Sequence, residues 1–167
     1  MKIIFLDIDG VLQPYDNDER FEHNLEETVK EVAEKYHDEI YAAMDPYDVA
    51  AVYYDWDDNA VGLLKACLDE TNAKIIISSG WREFNNEENL KALFKIHKLD
   101  SYITDVLPGG RKETVITDYL KDNSGLIEGY AVLDDCNMLS SFGPHMVRTY
   151  DKLTKEDGIK LMAALNI

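Results

Sequence analysis

Four short stretches of this chain carry side chains whose types and spacing could do chemistry. The first is Asp7-Ile8-Asp9-Gly10-Val11, two carboxylates at alternate positions with a glycine behind them that lets the chain turn sharply. Just past a strand, that spacing lets both carboxylates approach one site. An EF-hand calcium loop does not explain it, because that loop places its glycine sixth and Gly10 stands fourth. The second stretch is Ser78-Ser79-Gly80, where hydroxyls behind an isoleucine run can bind an anion together with nearby N–H groups. The third is Asp134-Asp135 behind Tyr130-Ala131-Val132-Leu133. Adjacent carboxylates repel unless a proton or a cation separates them, and magnesium, a hard ion preferring oxygen, suits them. The fourth is Arg111-Lys112, at the head of a helix.

Helical phase separates the two basic residues. Val115, Ile116, Tyr119 and Leu120 define an inward face, and at about 100° per residue Lys112 shares it while Arg111 lies a quarter-turn away. A lysine on the inward face at a first turn is costly unless an anion meets it, so Lys112 is the expected anion-binding cation. Arg111 is the rival, since a small shift in the helix start changes the phase. Taken singly, each stretch also has an ordinary explanation: solvated loop aspartates, a serine-stabilised turn, a helix cap, a snorkelling lysine.

The elements that must position these residues follow from apolar periodicity. Short β-type runs are expected at Lys2–Leu6, Lys74–Ser79, Tyr102–Val106, Gly129–Leu133 and Met146–Thr149. Between them lie helical stretches: a long helix from Asn24 to Met44 stopped by Pro46, one starting near Asp57 or Asp58, one to His97, one over Lys112–Lys121, and a last opened by Thr154-x-x-Asp157. The tyrosine-bearing stretch from Tyr47 to Trp56 has no clear assignment. Strands alternating with helices imply an α/β fold, a doubly wound parallel sheet with helices on both faces. In such sheets ligands bind beyond the carboxyl ends of the strands. Asp7, Ser78 and Asp134 stand at three of those ends.

Composition sets the outer limits. The 167 residues suit one domain with a modest insertion, expected at about 13–58. No apolar run approaches the length of a membrane span, and Asp7 and Asp9 interrupt the N-terminal segment too early for a signal peptide. Two separated cysteines fit a reducing compartment, so a cytoplasmic location is expected. The net charge is −16. Much of that excess lies in residues 13–58, with 15 acids against 3 bases. The balance disfavours a nucleic-acid partner, and the acidic segment is either a solvated face or a device that repels polyanions.

In order along the chain, strand–DxDGV, strand–Ser, basic residue and strand–DD resemble the haloacid dehalogenase-like (HAD) superfamily of aspartate-nucleophile phosphatases, over essentially the whole chain. The run Ser78-Ser79-Gly80-Trp81-Arg82 is further similar to HAD domains associated with RNA-repair proteins. The resemblance implies Asp7 as nucleophile and Asp9 as general acid/base. It implies Mg2+ among Asp7, the backbone carbonyl of Asp9, Asp134 and Asp135, with Ser78, Ser79 and Lys112 or Arg111 on the phosphoryl oxygens. The expected activity is hydrolysis of a small phosphate ester such as a nucleotide or sugar phosphate. A polynucleotide-end (3′-) phosphatase is the alternative, and a non-catalytic binding module is the alternative of another class. His23, His37, His97 and His145 have no role in the scheme, and Cys136 is expected to be a small buried side chain. Trp81 and Arg82 are expected either to touch substrate or to pack.

Overall fold

The computed structural model describes all 167 residues. Five parallel strands form one sheet in the order β3-β2-β1-β4-β5: β1 Lys2–Leu6, β2 Lys74–Ile77, β3 Ile103–Val106, β4 Gly129–Asp134 and β5 Met146–Arg148. The chain winds from β1 outwards through β2 and β3, then returns to β4 on the other side of β1. Strand order therefore reverses between β1 and β4, which opens a crevice beyond their carboxyl ends.

Alternation along the strands sorts side chains to two faces. Ile4, Leu6, Ile75, Ile77, Ala131 and Leu133 join the larger core, with α3 Asp58–Thr71, α4 Glu87–Lys95 and α7 Lys155–Ala164 packed on it. Ile3, Phe5, Ile76 and Val132 face the smaller core, closed by Ile116 of α5 Lys112–Asp122 and by Phe142 of the short α6 Leu139–Phe142. Helices thus cover both faces, as the strand–helix alternation predicts. Asp57 caps α3 by accepting from the Ala60 N–H, and Ala60, Val61, Leu64 and Leu68 are buried, each large aliphatic contributing about 1.5–3 kcal/mol. Thr154 and Asp157 form the expected capping box on α7.

The segment between β1 and α3 departs from expectation. The long helix predicted over Asn24–Met44 ends at Tyr36 (α1, Leu25–Tyr36), because His37 adopts the left-handed conformation at φ 52°, ψ 43°. Asp38 then accepts from the Ile40 N–H and opens a separate 3₁₀ turn, Glu39–Ala43. Pro46 does not stop a helix; it begins one, α2 Pro46–Ala50, at the position where its missing N–H costs nothing. The unassigned tyrosine-bearing stretch continues α2 as a π-helical turn, Ala51–Asp55. This segment packs into the larger core through Val32, Tyr41, Val49, Val52 and Trp56. The Tyr41 hydroxyl donates to the Ala92 carbonyl of α4 at 2.6 Å, and Arg20 pairs with the fully buried Asp55.

Candidate active site

The crevice is assembled by sheet register. Leu6 pairs with Leu133, which brings Asp7 and Asp134 to adjacent strand ends. Backbone bonds lock the level: the Asp7 N–H donates to Leu133 at 3.0 Å, and the Ser78 N–H donates to Leu6 at 3.0 Å. Asp7 is 5% exposed and Asp134 and Ser78 are fully buried. Lys112 joins the two carboxylates from the first turn of α5. Its Nζ lies 2.7 Å from Asp134 Oδ2 and 3.2 Å from Asp7 Oδ1. The other oxygen of Asp134 accepts from the Cys136 N–H at 2.9 Å. The Ser78 Oγ is buried without any hydrogen-bond partner, a deficit that a substrate oxygen would remove.

Electrostatics matches that geometry. Burial raises the Asp134 carboxyl above its ordinary pKa, and repulsion from Asp7 adds to it, against the pull of Lys112. Burial alone would lower Lys112, but Asp7 and Asp134 outweigh it and hold the ammonium firmly charged. Asp135 is raised by burial and by Asp7, against which its carboxyl rests. Of these three clustered carboxylates, two meet the single ammonium of Lys112 and the third, Asp135, rests against Asp7. An all-oxygen donor set with surplus negative charge fits a hard divalent cation such as Mg2+. Gly10 makes the approach close: at φ 76°, a Cβ there would meet the Tyr15 hydroxyl at 2.5 Å and the Asp135 carboxylate at 2.9 Å. Only glycine fits.

The loop after β2 braces Asp9 and the turn that leads into Lys112. Trp81 Nε1 donates to Asp9 Oδ2 at 2.9 Å and fixes the outer carboxylate. Asp9 opens to solvent but lies against the walls of a cleft; desolvation raises its pKa, the Trp81 bond lowers it, and the Asp7 charge raises it further, for a net rise. Arg82 is turned inwards with its side chain 2% exposed. Its guanidinium donates to the carbonyls of Ser78 (2.7 Å), Ser79 (3.0 Å), Pro108 (3.0 Å) and Gly110 (2.8 Å). One planar fork therefore ties the Ser78 loop to the turn that launches α5 and Lys112. Arg82 packs rather than facing the crevice.

With this geometry in view, the family comparison is direct: the model for the HAD domain in Swiss Army Knife RNA repair proteins matches residues 3–157. The chain belongs to this family. No curated protein and no solved structure matches it. The family supports a phosphatase-type hydrolase.

Within this HAD domain the crevice gathers Asp7, Asp9, Ser78, Lys112, Asp134 and Asp135, but not every sequence candidate. Arg111 points outwards, 78% exposed at its side chain and paired with Glu113. Ser79 is buried, and its Oγ accepts from the Trp81 N–H to cap a 3₁₀ turn. Cys136, expected to be buried, is exposed, because the chain leaves β4 at Asp134 and runs along the surface. His23, His97 and His145 stack on Tyr54, Trp56 and Tyr130, and none enters the crevice. Sequence reasoning missed the Trp81–Asp9 bond and the Arg82 fork; the only hint was the Trp-Arg pair following two strand-end serines.

The α2 end of the segment between β1 and α3 reaches the site. Asp45 and Asp48 line a cleft of about 460 Å³ together with Asp9, Trp81, Phe84 and Asn85. Asn85 Nδ2 joins its two sides by donating to Asp48 Oδ2 at 3.2 Å. No helix of the HAD domain is long and apolar enough to cross a membrane.

Proposed function

We propose that the protein is a magnesium-dependent phosphomonoesterase that works through an aspartyl-phosphate on a small phosphate ester. The observation that carries this reading is the bridge Asp7–Lys112–Asp134 beside the unpartnered Ser78 hydroxyl. It combines a buried nucleophilic carboxylate with two donors for phosphoryl oxygens. Asp7 attacks phosphorus in line, and the bond to the leaving oxygen breaks as that oxygen takes a proton from Asp9. Asp9 then removes a proton from water, whose oxygen attacks the aspartyl-phosphate and returns Asp7 with release of inorganic phosphate. One carboxylate must be ionised and the other able to carry a proton, and the two sit in different surroundings: Asp7 against Lys112, Asp9 against Trp81. Lys112 and Ser78 hold the non-bridging oxygens. Asp7, Asp134, Asp135 and the Asp9 carbonyl would hold Mg2+, which when bound offsets the repulsion between carboxylate and phosphate.

A second reading, a polynucleotide-end (3′-) phosphatase, is favoured by the family's occurrence in RNA repair proteins and opposed by the −16 charge. Phosphate release from nucleotides, sugar phosphates and 3′-phosphorylated oligonucleotides tests both. The expected result is magnesium-dependent release from small esters, reduced to background in Asp7→Asn while the fold is kept. Undiminished activity in chelator, or in Asp7→Asn, overturns the assignment.

A further inference from the structure

The cleft beside Asp9 has polar chemistry of one kind only. Every side-chain N–H on its walls is already engaged. Trp81 Nε1 donates to Asp9, and the two protons of Asn85 Nδ2 go to Asp48 and to the Trp81 carbonyl, both at 3.2 Å. What the walls still offer are acceptors. Asp48 is half-buried, and neither it nor Asp45 belongs to any ion pair of the protein. Asn85 is 6% exposed, and its Oδ1 accepts nothing from the protein. No lysine or arginine lines the cleft. Its apolar surface is aromatic: Trp81, and Phe84, which is 88% exposed at the mouth.

We propose that this cleft is the leaving-group subsite. It takes an alcohol that carries N–H donors and no second phosphate. The inference rests on the phosphatase reading, because it places the leaving oxygen beside Asp9. A half-desolvated carboxylate without a counter-ion, as Asp48 is, is satisfied by donors and, with the exposed Asp45 beside it, repels further anions. An exposed aromatic ring beside them stacks on a flat base or faces an ammonium. Aminated nucleosides and aminoalkyl alcohols share this chemistry, and their phosphates form the two arms of the test.

The experiment compares kcat/KM within matched pairs, with magnesium and with an aryl phosphate as reference. Adenosine 3′-monophosphate is set against purine riboside 3′-monophosphate, which lacks the amine, and against adenosine 3′,5′-bisphosphate. Phosphoethanolamine is set against ethyl phosphate. The bisphosphate is expected to be at least tenfold poorer than the monophosphate, and an aminated member at least tenfold better than its partner in one arm. The arm showing that preference identifies the source. Asp48→Asn is expected to narrow both gaps at least threefold, and Asp45→Asn provides a second variant should the first fail to fold. Equal rates within every pair, or ratios unmoved in the folded variants, overturn the subsite while aryl phosphate hydrolysis keeps the phosphatase reading. No hydrolysis of the aryl phosphate by the native protein overturns that reading, and the subsite with it.

Discussion

Two groups of aspartates lie side by side at the carboxyl end of the sheet, and they are built on opposite principles. Asp7 and Asp134 are buried at adjacent strand ends, bridged by the ammonium of Lys112 and held in register by β1 and β4. Asp9, Asp45 and Asp48 line the neighbouring cleft on loops and on α2, without an ion-pair partner among them. A carboxylate moved out of water is costly unless a charge meets it, so the first group is a rigid anion–cation cluster that needs its lysine. The second is only partly desolvated and keeps free acceptors. On the proposed function, the same residue type serves reaction in the first region and, through Asp45 and Asp48, selection in the second, with Asp9 reacting at the boundary between them; the surroundings make the difference.

Removing the cation tests the first region most severely. Lys112→Met is expected to lower kcat/KM at least tenfold, about 1.4 kcal/mol of transition-state stabilisation. It also leaves Asp7 and Asp134 without their counter-charge, so in chelator the variant should be less stable than the native protein by an amount on the order of 3 kcal/mol, a loss that magnesium should reduce. Arg111→Met removes only an exposed pair with Glu113 and should change the rate less than threefold. Steady-state kinetics and thermal melts of both variants decide the ranking. The reverse order would place the phosphate on the outer flank of α5.

The boundary between the regions is the Trp81–Asp9 bond. Trp81→Phe keeps a ring in the wall and removes the N–H. Because a good leaving group needs little protonation, the loss should depend on the substrate. We expect kcat to fall about tenfold on an alkyl phosphate but less than threefold on p-nitrophenyl phosphate. An equal loss on both would make Trp81 a packing residue only.

The smallest expected effect lies behind the cleft. His97 stacks on Trp56; burial lowers its pKa, against a hydrogen bond between Nε2 and the Val52 carbonyl at 2.7 Å. The folded state therefore binds this proton less readily than the unfolded chain. The stability it confers is complete above the ordinary histidine value of about 6.5 and is lost as pH falls through the lower folded value. His97→Gln should flatten the acid side of a denaturation-versus-pH curve. An unchanged slope would show that the ring titrates alike in both states.

How far these regions can be read without a structure differs between them. The five strands, the caps of α3 and α7, and the inward phase of Lys112 are legible because they are local. A period of two or 3.6 and a capping residue are written within one turn or strand. For the same reason Asp7, Ser78 and Asp134 could be placed at strand ends, and Lys112 preferred over Arg111, from the chain alone. The break at His37 was not legible, because apolar positions continue through Tyr36 and Ile40 as if one helix carried both. Packing of Tyr41 on α4 decides there, through a bond spanning 51 residues.

Periodicity states which face of an element is buried, never which distant element meets it. The partner of Lys112 lies 22 residues away, that of Trp81 lies 72 residues away, and Arg82 satisfies its guanidinium on carbonyls up to 28 residues distant. The residue types able to nucleophilically attack, bind a cation and hold a phosphate are therefore properties of the chain. That Asp7 shares a lysine with Asp134, that Asp9 is held by a tryptophan, and that α2 brings Asp48 to the same cleft are properties of the fold, because only the closing of the sheet at its switch point sets those groups against one another.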